Sequence, residues 1–133
     1  MTIVYRRTPL GKTKAGQAEI ARFLMKDFDH AFDHEVDWLM GACLLVRREV
    51  VKHVGYMDER YFLYFEDVDW CRRVWEAGWK VMYVPEAQFS HFHQRSSDGN
   101  SLMKLFSSRP TREHIKSVIK YFWKFRGKRL PHL

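Results

Sequence analysis

The sequence has no run of 18 apolar residues, and its N-terminus lacks a basic segment followed by an apolar one. Neither a membrane-spanning helix nor a secretory signal is therefore readable, and a cytoplasmic protein is expected. Cysteine is scarce. Cys43 and Cys71 are the two, and neither belongs to a metal-spaced cluster, so buried free thiols are expected rather than a zinc module. A phosphate loop is also missing: Gly11-Lys12-Thr13 carries its ending, but the motif needs a glycine five positions before Gly11, where Arg6 stands. Acid is almost absent near the C-terminus. Between residues 104 and 129, nine Lys or Arg face the single acid Glu113, a net +8, which leaves −1 for the rest of a chain whose total is +7.

What is present is ample for a folded core: 46% hydrophobic and 16% aromatic residues in a chain of 133, the length of one ordinary domain. The most informative stretch is 61–78, which holds the carboxylates Glu66, Asp67 and Asp69 behind the aromatic run Tyr61, Phe62, Tyr64 and Phe65. Tyr64, Val68, Cys71 and Trp75 recur at helical spacing, and Gly78 offers a left-handed stop, so the spacing predicts a helix over 66–77. The three acids fall in its first turn, where unpaired N–H groups and the helix dipole favour negative charge. Each can be simply a helix-start acid, with Asp69 also pairing to Arg72 or Arg73. A carboxylate at the mouth of an aromatic pocket is equally a candidate base.

Along the chain, residues 3–5 read as the end of a strand, followed by a loop. Ile20, Phe23, Leu24 and Phe28 predict a short amphipathic helix within 17–32. His30 and His34 stand four apart as zinc ligands often do, but no third ligand is fixed by spacing, and a solvated acidic turn is the better reading of 27–35. Residues 39–46 form a continuous apolar run with Gly41 and Ala42 near its start, the pattern of a buried strand approached closely by another group. A short helix over 47–54 closes at Gly55. Further strands are expected over 79–84 and 88–92, and a mobile polar loop over 94–109. From Pro110, the positions Ile115, Val118, Ile119, Phe122 and Trp123 form one apolar face. Arg112, Lys116, Lys120, Lys124 and Lys128 recur on the other. Such a basic amphipathic helix either packs on its own domain with a solvated cationic face or lies on an anionic membrane surface.

Five pieces in order carry a resemblance: 38–48 (WLMGACLLVRR), 55–70 (GYMDERYFLYFEDVDW), Ala77-Gly78-Trp79, Val84-Pro85-Glu86-Ala87 and His91. Together they resemble the C-terminal half of the catalytic domain of family 2 glycosyltransferases, especially the bacterial rhamnosyltransferase-like members. The resemblance implies an α/β fold, here a partial GT-A (nucleotide-diphospho-sugar transferase) fold lacking its N-terminal nucleotide-binding half. It divides the chain into a loop and short helix over 1–35, an acceptor and base half over 36–93, the loop, and a basic amphipathic helix and tail over 110–133.

By the same resemblance, an intact enzyme transfers a sugar with inversion from a nucleotide-diphosphate donor to a saccharide or lipid-linked saccharide. Asp67 would act as general base with Glu66 beside it. Trp38, Gly41 and Ala42 would lie at the donor sugar and acceptor, although a tryptophan entering a strand is as often core. His91, 24 positions after Asp67, would be one ligand of a divalent metal, Mn or Mg, whose other ligands belong to the N-terminal half; His93 is a poorer candidate. No strand–helix–strand unit or Asp-x-Asp motif in the proper context precedes Trp38, so the chain reads as a fragment that is inactive alone. A lipid-linked acceptor would place it at the inner face of the membrane. The competing reading is a basic-helix module that binds nucleic acid or a membrane surface without catalysis; the central carboxylates argue against nucleic acid.

Overall fold

The computed structural model describes residues 9–23, 26–91, 109–129 and 131. Two compact units divide between Phe32 and Asp33. The first holds a 3-10 turn, Pro9–Lys12, and helix α1, Lys14–Phe23. Thr13 joins them: its hydroxyl donates to the Leu10 carbonyl at 2.6 Å and accepts the Gly16 N–H at 3.1 Å, capping an otherwise orphaned donor of α1. A Cβ at Gly16 would stand 2.2 Å from the Leu10 carbonyl oxygen, so only glycine lets the 3-10 turn lie this close to the helix. The cap starts α1 three residues before the expected position. The helix does not run on to residue 32; Asp29 instead accepts the Ala31 N–H at 2.9 Å, a local turn that competes with helical bonding.

The second unit contains a two-stranded antiparallel pair, β1 (His34–Glu35) and β2 (Met82–Tyr83), and helices α2 (Arg48–Val54), α3 (Glu66–Glu76) and α4 (Arg109–Lys124). His34 pairs with Tyr83 and Glu35 with Met82, and the Val36 N–H extends the pairing to the Val81 carbonyl at 2.9 Å. Helix α3 lies at the centre because both its sides are buried. Cys71 and Val74 pack with Val50 and Val81, surrounded by the half-buried Val36, Trp38, Val46, Trp75 and Trp79. On the other side Val68, with Phe65 from the preceding turn, meets Tyr61, Tyr121 and Phe125. Two indoles tie neighbouring segments to α3, Trp70 Nε1 donating to the Gly55 carbonyl at 2.8 Å and Trp75 Nε1 to that of Val36 at 3.2 Å. As expected, α2 ends at Gly55 and α3 shortly before Gly78; both glycines take positive φ.

The sheet expected of an α/β fold is where the structure departs most from the sequence reading. Residues 39–46 form no strand; they are turns and irregular backbone, with Leu45 fully exposed. A strand needs a neighbour on its hydrogen-bonding edge, and the described residues offer this run none. Cys43 is accordingly exposed rather than buried, while Cys71 is buried as expected. The strand expected over 79–84 contracts to Met82–Tyr83, and residues 88–91 form none. The described architecture is thus mixed, mostly helical, with little sheet.

Helix α4 also turns the opposite way from a simple amphipathic packing. Its buried residues are Thr111, Ser117 and Tyr121, and Ser117 Oγ donates to the Leu63 carbonyl at 2.9 Å. Ile115, Ile119, Phe122 and Trp123 face outward. The expected strand over 3–5, His93 and the expected loop up to residue 108 lie outside the described residues.

Candidate functional site

The carboxylate stretch begins with a strained turn. Tyr64 and Phe65 have φ of 66° and 71°, two consecutive left-handed residues without glycine's freedom. Phe65 occupies the N-cap position of α3 and contributes no capping side chain; its ring instead lies 5.3 Å from that of Tyr121, and the Tyr64 ring 4.4 Å from that of His114. Packing against α4 holds the turn in this conformation and sets where Glu66 and Asp67 leave it.

Asp67 is buried, 9% exposed, in the first turn of α3. Its Oδ2 accepts the Gly41 N–H at 2.9 Å and its Oδ1 accepts the Val68 N–H at 2.8 Å. A carboxylate has about four lone-pair sites, so two backbone bonds orient the group and leave it able to accept more. No ion pair to Asp67 occurs among the described residues, in contrast to Asp58 and Asp69. The Gly41 contact is close: a Cβ there would lie 3.4 Å from Asp67 Cβ and 3.5 Å from Oδ2. Gly41 and Asp67 are thus brought together as one feature, and Ala42 follows Gly41 on the same exposed turn.

Glu66 differs from its neighbour. Its Oε2 is buried and finds no hydrogen-bond partner among the described residues. Burial pushes its carboxyl above the usual carboxylate range; its own backbone N–H opposes the rise and the nearby Asp67 charge adds to it. A carboxyl so placed retains its proton to higher pH than a solvated glutamate and can donate a hydrogen bond to an incoming hydroxyl or accept one from it.

Asp69 has a different part. With no solvent exposure, it receives Lys124 Nζ at 2.6 Å and Tyr61 OH at 3.2 Å on Oδ1, and Arg73 Nε at 2.8 Å on Oδ2. Arg73 also donates to the carbonyls of Val54 and Tyr56. Lys124 bridges to Asp58 at 2.9 Å, which Arg60 grips at 2.5 Å. Arg60 and then Lys124 hold the Asp58 carboxyl well below its usual range, and burial together with the Asp69 charge pushes the Tyr61 phenol up. Asp69 therefore follows the ion-pair reading, to Arg73, while Arg72 turns to Glu76 and to the carbonyls of Lys128 and Arg129. The inward-pointing Lys124 was invisible in the sequence, where it stood in a regular cationic series.

Trp38 is half-buried and packs against the cluster of Val50, Cys71, Val74 and Val81. His91 is exposed at the end of the described run. Among the described residues no three His, Cys, Asp or Glu side chains gather as metal ligands. These residues therefore do not compose a metal site by themselves.

What remains is a carboxylate site: one buried, backbone-anchored Asp and, beside it, a Glu, the first without a cation and the second with an unpartnered oxygen among the described residues. Acid–base chemistry on a hydroxyl is what such a pair can perform. Residues 8–112 match the family described as glycosyltransferase like family 2, and the chain belongs to that family. Over 67 residues it is 51% identical to an N-acetylglucosaminyl-diphospho-decaprenol L-rhamnosyltransferase of Mycobacterium tuberculosis, covering 50% of this chain and 22% of that protein. Over 89 residues it is 38% identical to the rhamnosyltransferase WbbL of Escherichia coli K12, covering 67% of this chain and 31% of that protein. A shorter match, 34% over 38 residues, joins 29% of it to 12% of the low-salt glycan biosynthesis hexosyltransferase Agl10 of Haloferax volcanii. The chain spans less than a third of each of these relatives. No solved structure is significantly similar to it. Family 2 enzymes commonly use a divalent metal, and no described helix is long and apolar enough to cross a membrane.

Proposed function

We propose that this chain is the acceptor- and base-bearing part of a partial GT-A fold in an inverting glycosyltransferase. The enzyme takes a sugar from a nucleotide-diphosphate donor and places it on a saccharide or lipid-linked saccharide. One observation carries the reading: Asp67 is buried and oriented by the Gly41 and Val68 N–H groups, with no ion pair among the described residues. The names of the relatives, two rhamnosyltransferases and a hexosyltransferase, support the class of transferred group.

In the proposed step an acceptor hydroxyl oxygen attacks the anomeric carbon from the face opposite the leaving group. The new carbon–oxygen bond forms as the bond to the diphosphate breaks, and its electron pair leaves with the phosphate oxygen. Asp67 receives the hydroxyl proton. Glu66, with its unpartnered Oε2, hydrogen-bonds the acceptor and orients it. Gly41 and Ala42 border the acceptor, and the small side chains let a sugar approach the backbone. Trp38 fixes the base of this segment through its core packing. His91 is proposed as one ligand of a divalent metal completed by residues outside those described.

The test is the stereochemistry of transfer by the native protein that carries this segment. With a nucleotide-sugar donor and a saccharide acceptor, the product's anomeric configuration, read by NMR, is expected to be opposite to the donor's. Retention would overturn the single-displacement step and the role given to Asp67.

A further inference from the structure

The face of α4 turned away from the domain combines two kinds of side chain that rarely share solvent. Ile115, Ile119 and Phe122 lie at helical spacing of four and three, and Trp123 adjoins them; the last three are 62%, 65% and 74% exposed. Arg112, Lys116 and Lys120 recur every four residues along the edge of the same face. Phe62 is also largely exposed and lies under the guanidinium of Arg109, the first residue of α4, at 5.3 Å. At the edge of this face an open cleft of about 410 Å³ runs between α4 and residues 60–61, lined by Arg60, Tyr61, Ile119, Lys120, Trp123 and Lys124.

The inner face explains why the outer one stays exposed. Ser117, Tyr121 and Lys124 are committed to Leu63, to the aromatic cluster and to Asp69. Turning α4 about its axis to bury Ile119 and Phe122 would strip Asp69 of a buried cation, a large cost. The orientation is locked, and the apolar side chains find no place to bury among the described residues of this unit.

We propose that the outward face of α4, with Phe62, docks on an anionic lipid bilayer. The apolar and aromatic side chains enter the boundary between headgroups and acyl chains, where tryptophan is at home, and the cations meet lipid phosphates. Charge complementarity selects this occupant: from 109 to 129 the described chain has eight Lys or Arg and one acid, Glu113, which is itself paired to Lys116. An apolar protein partner would gain nothing from that ring of cations. Nucleic acid would gain nothing from the exposed aliphatic Ile115 and Ile119. The inference does not depend on Asp67 being a base.

Co-sedimentation of the full chain with phosphatidylcholine vesicles, with and without phosphatidylglycerol, tests it. Binding is expected only to the anionic vesicles, falling as salt rises. Lys116→Gln and Lys120→Gln should each weaken it about fivefold at low salt. Ile119→Glu should weaken it at least about tenfold with an unchanged circular dichroism melt, because the residue supports no internal packing. Bound-state fluorescence quenching by brominated lipid should vanish in Trp123→Phe. The proposal fails if anionic vesicles are not bound, or if Ile119→Glu binds as well as the parent. It also fails if the chain is a dimer that Ile119→Glu dissociates, or if duplex DNA is bound as tightly as vesicles and Ile119→Glu leaves both unchanged.

Discussion

Lys124, in the last turn of α4, sets its ammonium 2.6 Å from Oδ1 of Asp69, a carboxylate on α3 with no solvent exposure. The three acids of the central stretch thus have separate duties. Asp69 holds α4, Asp67 holds the turn at Gly41, and Glu66 keeps an oxygen that nothing described engages. The last helix is consequently part of the framework that presents Asp67, through Tyr121 and His114 against the strained Tyr64–Phe65 turn.

Removing the Lys124 ammonium tests that framework. Lys124→Met leaves Asp69 with Arg73 and Tyr61 alone, so unfolding in urea should show a loss of about 3 kcal/mol, the range for breaking one side of a buried pair. Lys116→Gln removes an exposed pair to Glu113 and should leave the urea midpoint nearly unchanged. Equal effects would mean that burial at Asp69 carries no energetic weight.

Much of this could be seen in the residues themselves, for identifiable reasons. The bounds of α3 were legible because four spaced apolar positions, a cluster of first-turn acids and Gly78 agree. The strand expected over 39–46 was a misreading of an apolar run: periodicity cannot supply the hydrogen-bonding neighbour that a strand requires. Which face of α4 packs inward was left open by the sequence, and Ser117 and Lys124 decide it: they gain specific buried partners that outweigh the burial of Ile119 and Phe122. The left-handed pair Tyr64–Phe65 leaves no trace in sequence, since local preference reserves that conformation for Gly and Asn. Asp67 was singled out by its neighbours in the motif; its bond to Gly41, 26 residues away, was not foreseeable.

Glu66 should leave a mark on the pH dependence of stability. In the unfolded chain a glutamate loses its proton near 4.5, while the folded protein holds it to higher pH. Above 4.5 the native state therefore binds more protons than the unfolded one, and stability falls as pH rises until the raised value is passed. Chemical denaturation across that window should show this slope in the parent and lose it in Glu66→Gln. Asp58 acts in the opposite sense: its contribution is present above 3.8, its ordinary value, and declines as pH falls toward its lowered native value.

In the first unit, Thr13→Ala removes the cap on Gly16 and should destabilise α1 by about 1 kcal/mol. Gly16→Ala should do more, because its Cβ collides with a backbone oxygen rather than with a movable side chain. Faster amide hydrogen exchange confined to residues 14–22 is the expected signature of both.

The most direct test of Asp67 is sugar transfer by the native protein carrying this segment, compared with Asp67→Asn and Asp67→Glu. Asparagine keeps the shape and an acceptor for the Gly41 N–H but cannot take a proton. A fall in kcat of about 10² to 10⁴-fold, with acceptor KM little changed and partial recovery in the Glu variant, is the expected result. Turnover in Asp67→Asn within a few-fold of the parent, in a folded protein, would contradict the account.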